Sequence, residues 1–560
     1  MQRKDRNEAT PVFGGILLLL IGLAAVIASG DRVRGLLLAT FGIAGPAALL
    51  AVAVGTPLGG LLAKTNLPGR RAVMTLLVTL LVIPPHVHAA AWQSVMGFVP
   101  GATILATPAS PSWTLLEGWR GTVLLHAIVG IPWAALLAAV AFAGIDPQRE
   151  EQARLEASSW RVLTRVSLPA AMPGVLAAGV LVAVLVSAEI AITDLMRVRT
   201  FAEEVYTQAS LGAFDPSSTP AIGATGATGL PELLGGAVVL AVIAAGAFLV
   251  LGASVKRVAT DRGEKAWRFS LGKRWCDPRR LAAQLLLAMS VAFLAGAPLV
   301  GLAYQAGLTT LADGEGGYRS VWSMSAAAQE IAGAPWTHRR ELVVSVGLAV
   351  GVSLAVTAAA TLLVGLSRGR VQLVLIALAA LLIATPGPLL ALGIIRCLTP
   401  PPTAWWAPCG WLYGGWFPAW LGQVLKFLPL SAVLLTPLAT AMSGSVASAA
   451  RLDGAGRLNT LWRVVLPGHR RQIAACWVMM FALSISELAT TALLVPPGAP
   501  PVSVRLLSLL HYGVEERVAA LSLCLAAGAG LLAWTALRLA MPNRFNLLGQ
   551  SPAAPSDPIN

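Results

Sequence analysis

Two stretches of the chain decide how it folds: EEQARLEASSWRVLTRVSLP at residues 150–169 and SAARLDGAGRLNTLWRVVLP at residues 448–467. A shift of 298 residues places the closing Leu-Pro of the first stretch, and the Arg-Val before it, on those of the second. The same shift carries Glu189 onto Glu487. One unit therefore occurs twice in the same orientation, which predicts a pseudo-two-fold axis along the membrane normal and a pathway where the two units meet.

The composition is that of a membrane protein, with 56% hydrophobic and only 12% charged residues, where a soluble domain carries roughly a quarter of charged residues. The apolar residues form continuous runs of about 20, long enough to cross a bilayer as helices. We predict an all-α polytopic membrane protein with about twelve transmembrane helices in two parallel six-helix repeats. The predicted spans are about 12–29, 36–58, 72–94, 121–143, 174–195, 234–254, 281–303, 341–365, 371–395, 417–440, 472–494 and 518–540.

Basic residues set the orientation, because Lys and Arg collect in cytoplasmic segments. This explains the net charge of +14 without nucleic acid. The basic segment 255–280 separates the halves, and both termini are expected in the cytoplasm, the first apolar run being a retained span. The predicted units are a first permease domain at 1–254, the linker at 255–280, a second permease domain at 281–545 and a polar tail at 546–560.

The two stretches resemble the EAA loop of bacterial ABC-importer permeases, whose pattern is Glu-Ala-Ala, a Gly after three residues and a closing Leu-Pro. The second copy keeps the spacing but has Ser in place of the Glu, and in the first copy Glu156 stands at the Gly position. A single copy would also suit an ordinary basic amphipathic connector, whereas two copies favour the motif. The residues that carry the resemblance are Glu150, Glu151, Ala153, Ala157, Arg165, Leu168 and Pro169 in the first copy and Ser448, Ala449, Ala450, Gly454, Arg463, Leu466 and Pro467 in the second.

The resemblance implies a type I ABC-importer permease in a bacterial inner membrane, whose cytoplasmic loops couple to a separate ATP-binding cassette ATPase, expected as a homodimer. It also implies an extracytoplasmic substrate-binding protein, for which the outer segments 197–233 and 304–340 are docking candidates. The chain has no GxxxxGK[ST] phosphate loop, so it is expected to be no enzyme and to hold no cofactor, with ATP and Mg on the partner. The segments LVIPPHVHAAAW (81–92) and VSAEIAITDLM (186–196) resemble ferric-iron permeases first and thiamine permeases second.

Acids within apolar spans are costly and usually face a cavity or a partner. Glu189 and Glu487 are therefore pathway or gate candidates, although a role in helix packing satisfies the same desolvation cost. The proline breaks in the third and ninth predicted spans are further pathway or gate candidates. These proline candidates are Pro84, Pro85, Pro386 and Pro388.

Other residue types give weaker predictions. His86 and His88 stand two apart, which does not place two ligands on one helix face, so no metal site is predicted and packing or cavity roles are favoured for them and for His126. Cys397 and Cys409 bracket a predicted outer loop, where a disulfide remains open. An ion-coupled secondary transporter, a membrane-embedded enzyme and an ABC subunit without a binding protein are the alternative functions.

Overall fold

The computed structural model describes residues 2–98, 118–211, 229–258, 278–312, 318–366, 381–382, 385–400, 403, 405 and 407–540. The predicted tail and most of the predicted linker lie outside these residues. The described part is helical apart from one antiparallel hairpin, β1 (Leu308–Ala312) with β2 (Tyr318–Trp322), in which Leu308 lies opposite Trp322. Continuous apolar sequence gives helices here because a helix satisfies its own backbone polar groups.

The first half contains eleven described helices and one π-helical turn. They are α1 (Gln2–Ala28), α2 (Asp31–Lys64), α3 (Arg70–Val82), α4 (Pro85–Phe98), α5 (Gly118–Ala143), α6 (Pro147–Glu156), α7 (Ser159–Val162), the turn π1 (Leu163–Ser167), α8 (Leu168–Ser187), α9 (Ala191–Leu195), α10 (Phe201–Ser210) and α11 (Gly229–Val258).

The described elements of the second half follow a similar order, with the hairpin and one extra helix near its start, while most of the residues that correspond to α3 lie outside the described part. Its described elements are α12 (Pro278–Val291), π2 (Ala292–Gly296), α13 (Ala297–Ala306), the two strands, α14 (Met324–Thr337), α15 (Arg339–Leu366), α16 (Gly387–Leu398), a 3-10 turn (Ala407–Gly414), α17 (Phe417–Leu434), α18 (Thr436–Ser443), α19 (Ser445–Leu452), α20 (Arg457–Thr460), π3 (Leu461–Val465), α21 (Leu466–Ile485), α22 (Thr491–Leu494), α23 (Val502–His511) and α24 (Glu515–Ala540).

Among the described residues, seven helices are long and apolar enough to cross a membrane, and eight if α3 and α4 count as one broken span. The chain is thus a multi-pass all-α membrane protein, although the described part does not reach the predicted twelve spans. Helices α3 and α4 are bent by 108° at the predicted proline break. Proline disfavours helical geometry at the residue before it, and Ile83 is accordingly extended.

The two halves share details that sequence comparison alone does not give. The backbone N–H of Phe201, at the start of α10, donates to the Thr40 hydroxyl of α2 over 2.9 Å. In the second half the N–H of Val502, at the start of α23, donates to the Ser345 hydroxyl of α15 over 2.8 Å. Each hydroxyl satisfies a helix-terminal donor that has no partner within its own helix. Both halves therefore have the same hydrogen bond between a buried hydroxyl and the start of a helix.

Each half also packs one of its helices against the other half. Val87 of α4 packs in one buried cluster with Val502 and Leu506 of α23. Correspondingly, α16 of the second half, through Leu389, packs with Phe201 of α10 in the first half. The helix that follows each proline break thus lies against the other half, and α10 is buried rather than part of an open outer loop.

Within the first half, α2 and α5 are in close backbone contact. A Cβ on Gly59 would lie 2.4 Å from the carbonyl oxygen of Ala135, so only glycine fits there. The disulfide left open for Cys397 is not formed, because the thiol of Cys397 is free and exposed.

Candidate functional site

The two predicted coupling segments, 150–169 and 448–467, fold alike at the 298-residue shift. Helices α6 and α19 begin at matching positions, Pro147 and Ser445, as do α7 and α20, π1 and π3, and α8 and α21. The repeat seen in the sequence is therefore also a repeat of helix, turn, short helix and π-helical turn.

A π-helical turn precedes the Leu-Pro of each coupling segment. In the first segment the helical course begins at Ser159 and passes through Pro169 into the span. Proline lacks an N–H and its ring clashes with the carbonyl four residues before it. The wider i→i+5 turn, in which the Leu168 N–H bonds to the Leu163 carbonyl, relieves that clash. Both π2 and π3 likewise precede an X-Pro pair, so one physical cause accounts for these three turns.

Glu150, the first residue of the motif, is buried inside the protein and is not available to a partner. Its carboxylate accepts a hydrogen bond from Lys64 Nζ over 2.6 Å and another from the Ser167 hydroxyl over 2.6 Å. Lys64 is the last residue of α2 and is itself buried. The ion pair therefore ties α6 to the end of α2 and to π1. Glu150 is a positioning residue within the predicted coupling segment.

The second segment replaces this ion pair by hydrogen bonds from arginine. Ser448 stands at the position of Glu150 and is exposed. Arg451 donates to the carbonyl of Ala447 over 3.0 Å and to that of Met442 over 3.1 Å. Gly454 then turns the chain at φ +86°, as predicted for the motif Gly. The two coupling segments have the same backbone fold but are fixed by different side-chain contacts.

Each coupling segment presents exposed apolar side chains that the motif does not specify. They include Leu155 and Trp160 in the first segment and Leu452 and Leu458 in the second, four side chains of which between 54% and 90% is exposed. Large apolar side chains exposed together on a polar segment mark an interaction surface. We call these four residues the apolar knobs. The other predicted motif residues lie around the apolar knobs. Six of them are exposed, namely Glu151, Arg165, Pro169, Ala449, Arg463 and Pro467. Five are half-buried, namely Ala153, Ala157, Leu168, Ala450 and Leu466.

A cavity of about 300 Å³ lies where the two halves meet, lined by residues of both. The predicted candidates Glu189, Glu487, Pro84 and Pro85 all line it. The predicted second-half prolines do not, although the neighbouring Thr385 does. Pro386 instead precedes α16 as its cap, and Pro388 is buried in its first turn.

Glu189 and Glu487 lie in breaks between helices rather than inside continuous spans. Glu189 accepts from the backbone N–H groups of Ala191 (2.7 Å) and Ile192 (2.9 Å) at the start of α9. Glu487 repeats this with the first residues of α22, accepting over 2.9 and 3.0 Å. Each carboxylate thereby satisfies donors that a broken span exposes, as a helix N-cap does. Packing and cavity-lining roles, left open by the sequence, coexist in these two residues.

Each carboxylate also has a basic partner on the span that precedes its coupling segment. His126 of α5 places Nε2 3.2 Å from Glu189, and Lys426 of α17 donates to Glu487 over 2.7 Å. His126 Nδ1 lies 2.8 Å from the carbonyl oxygen of Thr122, which can only accept. Each carboxylate at a helix break therefore faces a basic side chain of its own half.

No protein-family model matches the chain. Several curated proteins give partial matches, each to a short stretch. The chain is 33% identical over 129 residues to the molybdate/tungstate transport system permease protein WtpB of Thermococcus kodakarensis, covering 23% of the chain and 46% of that protein. It is 33% identical over 130 residues to a probable molybdenum ABC transporter permease protein of Haloferax volcanii, again 46% of that protein.

The third match is to the molybdenum transport system permease protein ModB of Escherichia coli, 32% identical over 143 residues, 24% of the chain and 59% of the relative. Part of this chain is similar to ABC permeases. The chain spans about half the length of the curated relatives it matches. Their names refer to molybdate, tungstate or molybdenum, so the predicted resemblance to ferric-iron or thiamine permeases is not supported.

Proposed function

We propose that this chain is the permease subunit of an ATP-driven ABC importer for a small oxyanion of the molybdate class. The observation that carries the proposal is the pair of coupling segments, which repeat one backbone at one shift and both expose apolar knobs. ATP hydrolysis takes place on a separate ATPase, and an extracytoplasmic binding protein delivers the anion. The membrane is the bacterial inner membrane, with both coupling segments in the cytoplasm.

The mechanism follows from what each segment is attached to. Helix α6 is joined to α2 through Lys64 and continues through α7 into α8, which ends beside Glu189 in the cavity. The second segment runs in the same way from α19 to Glu487. A displacement of the knobs by a closing ATPase is therefore transmitted along α8 and α21 to the cavity between the halves. Alternation of access at the repeat interface is the expected result.

The docking role is tested with the apolar knobs. Burying an apolar side chain of this size contributes about 1.5–3 kcal/mol. We expect Trp160→Ser together with Leu458→Ser to weaken co-purification of the ATPase at least tenfold, because about 1.4 kcal/mol corresponds to tenfold. Trp336→Ser is the matched control, since Trp336 lies on an outer segment and is 72% exposed, compared with 70% for Trp160. Equal ATPase recovery in all three preparations would contradict the coupling role.

The substrate class is tested by uptake in cells that express the chain with its neighbouring transport genes. We expect ATP-dependent accumulation of molybdate or tungstate, and none of ferric iron or thiamine. Accumulation of thiamine alone would reject the oxyanion and keep the importer. Uptake abolished by an uncoupler, with ATP maintained and no ATPase bound, would instead favour the ion-coupled transporter.

A further inference from the structure

The cavity between the halves contains a buried group without a partner. His86 of α4 lines the cavity and is fully buried, and within the described structure neither of its ring nitrogens has a hydrogen-bond partner. A neutral imidazole carries one N–H donor and one acceptor, and leaving both unpaired in the interior is costly. By contrast, the Nε2 atom of the neighbouring His88 lies 3.2 Å from the carbonyl oxygen of Leu80. The unpaired ring of His86 therefore indicates that something polar occupies the cavity during part of the cycle.

Lys426 is the cation best placed to meet such a group. Its side chain lines the cavity and remains 31% exposed, although its Nζ pairs with Glu487. Glu487 does not depend on Lys426 alone, because the N–H groups of Thr490 and Thr491 and the Thr491 hydroxyl also donate to it. The ammonium can therefore leave the carboxylate while three donors continue to hold it. A lysine suits this exchange because its charge is carried on a flexible stem.

The carboxylates that line the cavity each face a basic side chain. Among the described lining residues they are Glu189, which lies 3.2 Å from His126 Nε2, and Glu487, which is paired with Lys426. In the resting cavity each carboxylate is therefore matched by a basic group. With liquid water occupying about 30 Å³ per molecule, a cavity of about 300 Å³ accommodates a small tetrahedral anion with part of its hydration shell.

We propose that the cavity is a transient binding site for the transported oxyanion, in which the Lys426 ammonium moves from Glu487 to the anion and His86 donates its ring N–H. This deepens the proposed function and rests on it. Lys426 is then a residue that contacts substrate inside the membrane, and Glu487 holds it in place when the site is empty.

The test measures the initial rate of molybdate uptake as a function of concentration in cells carrying the whole transporter. Lys426→Met is expected to lower uptake at least tenfold, since a hydrogen bond to a charged group contributes about 1.5–3 kcal/mol. Lys426→Arg is expected to retain most of it. Arg538→Met, which removes an exposed cation at the end of α24, is the control and should leave uptake unchanged.

A double variant separates anion binding from a structural role. Lys426→Met combined with Glu487→Gln removes both charges and leaves no unpaired carboxylate. If Lys426 only neutralises Glu487, the double variant recovers wild-type uptake, and the proposal is overturned. If Lys426 contacts the anion, uptake stays low, while thermal stability and ATPase binding recover.

The same uptake measurement distinguishes failure of the internal site from failure of the proposed substrate. Molybdate uptake by the wild type that Lys426→Met does not change would reject the internal site and leave the proposed importer standing. Absence of molybdate uptake by the wild type, with uptake of another solute, would reject the oxyanion itself. Calorimetric titration of tungstate into the purified chain provides a direct reading, with binding expected for the wild type and lost in Lys426→Met; equal heats from both would also overturn the site.

Discussion

The buried ion pair under the first coupling segment allows a quantitative prediction. Replacing Lys64 by Met leaves the carboxylate of Glu150 in the interior with only the Ser167 hydroxyl as a donor. Removing one partner of a buried pair costs about 3–5 kcal/mol, because the remaining charge has lost its compensation. We expect this loss to appear as a lower unfolding temperature and as ATP hydrolysis that no longer drives uptake, since α6 is no longer fixed to α2.

The matched variants make the prediction specific. Lys64→Met with Glu150→Met removes both charges and should recover most of the stability, because replacing a whole buried pair by apolar residues is often neutral. Arg149→Gln is the surface control: the Arg149 side chain is 76% exposed and lies 3.8 Å from Asp146, the residue that caps α6, so the change should cost less than about 1 kcal/mol. The assays are thermal unfolding in lipid nanodiscs and the ratio of ATP hydrolysed to substrate moved. If Lys64→Met matches the surface control in both, the ion pair does not fix the segment and the reasoning is wrong.

Three further predictions concern the coupling segments and the packing beneath them. Charge reversal at Arg165 together with Arg463, both exposed, is expected to weaken ATPase association, and unchanged co-purification would count against the coupling role. Gly454→Ala places a side chain at φ +86° and should cost about 1–2 kcal/mol, measured as faster proteolysis of the second segment; unaltered proteolysis would mean that the turn relaxes. Gly59→Ala, whose Cβ would lie 2.4 Å from a carbonyl of α5, should lower the unfolding temperature, while Gly35→Ala in the same helix meets nothing within 4 Å and should not; equal unfolding temperatures would contradict the close packing.

The sequence predicts the repeat, the membrane class and the location of the coupling segments because these depend on composition, run length and spacing. It also singles out Glu189 and Glu487, both of which line the cavity between the halves. It does not predict that they lie in helix breaks, since no proline or glycine stands within four residues of either acid. The capping hydrogen bonds of each carboxylate stabilise a break that hydropathy does not reveal.

The partners of the key charges are missed for a different reason. Lys64 and Glu150 are distant in sequence and come together only when α2 packs beside α6. Likewise, Lys426 is a single basic residue in a span, and nothing in its neighbours indicates Glu487. Local patterns specify helices, whereas these pairs depend on which helices become neighbours.

The packing of one helix of each half against the other half has a consequence for biosynthesis. Val87 reaches its buried position only against Val502, and Phe201 only against Leu389, so the amino-terminal half cannot complete its packing until nearly the whole polypeptide has left the ribosome. Contacts so far apart in sequence form late and leave apolar surface uncovered in the meantime. A chain that terminates at the central linker is therefore expected to be degraded rather than to persist as a stable half, and expressing the two halves as separate polypeptides should restore folding only when both are synthesised together.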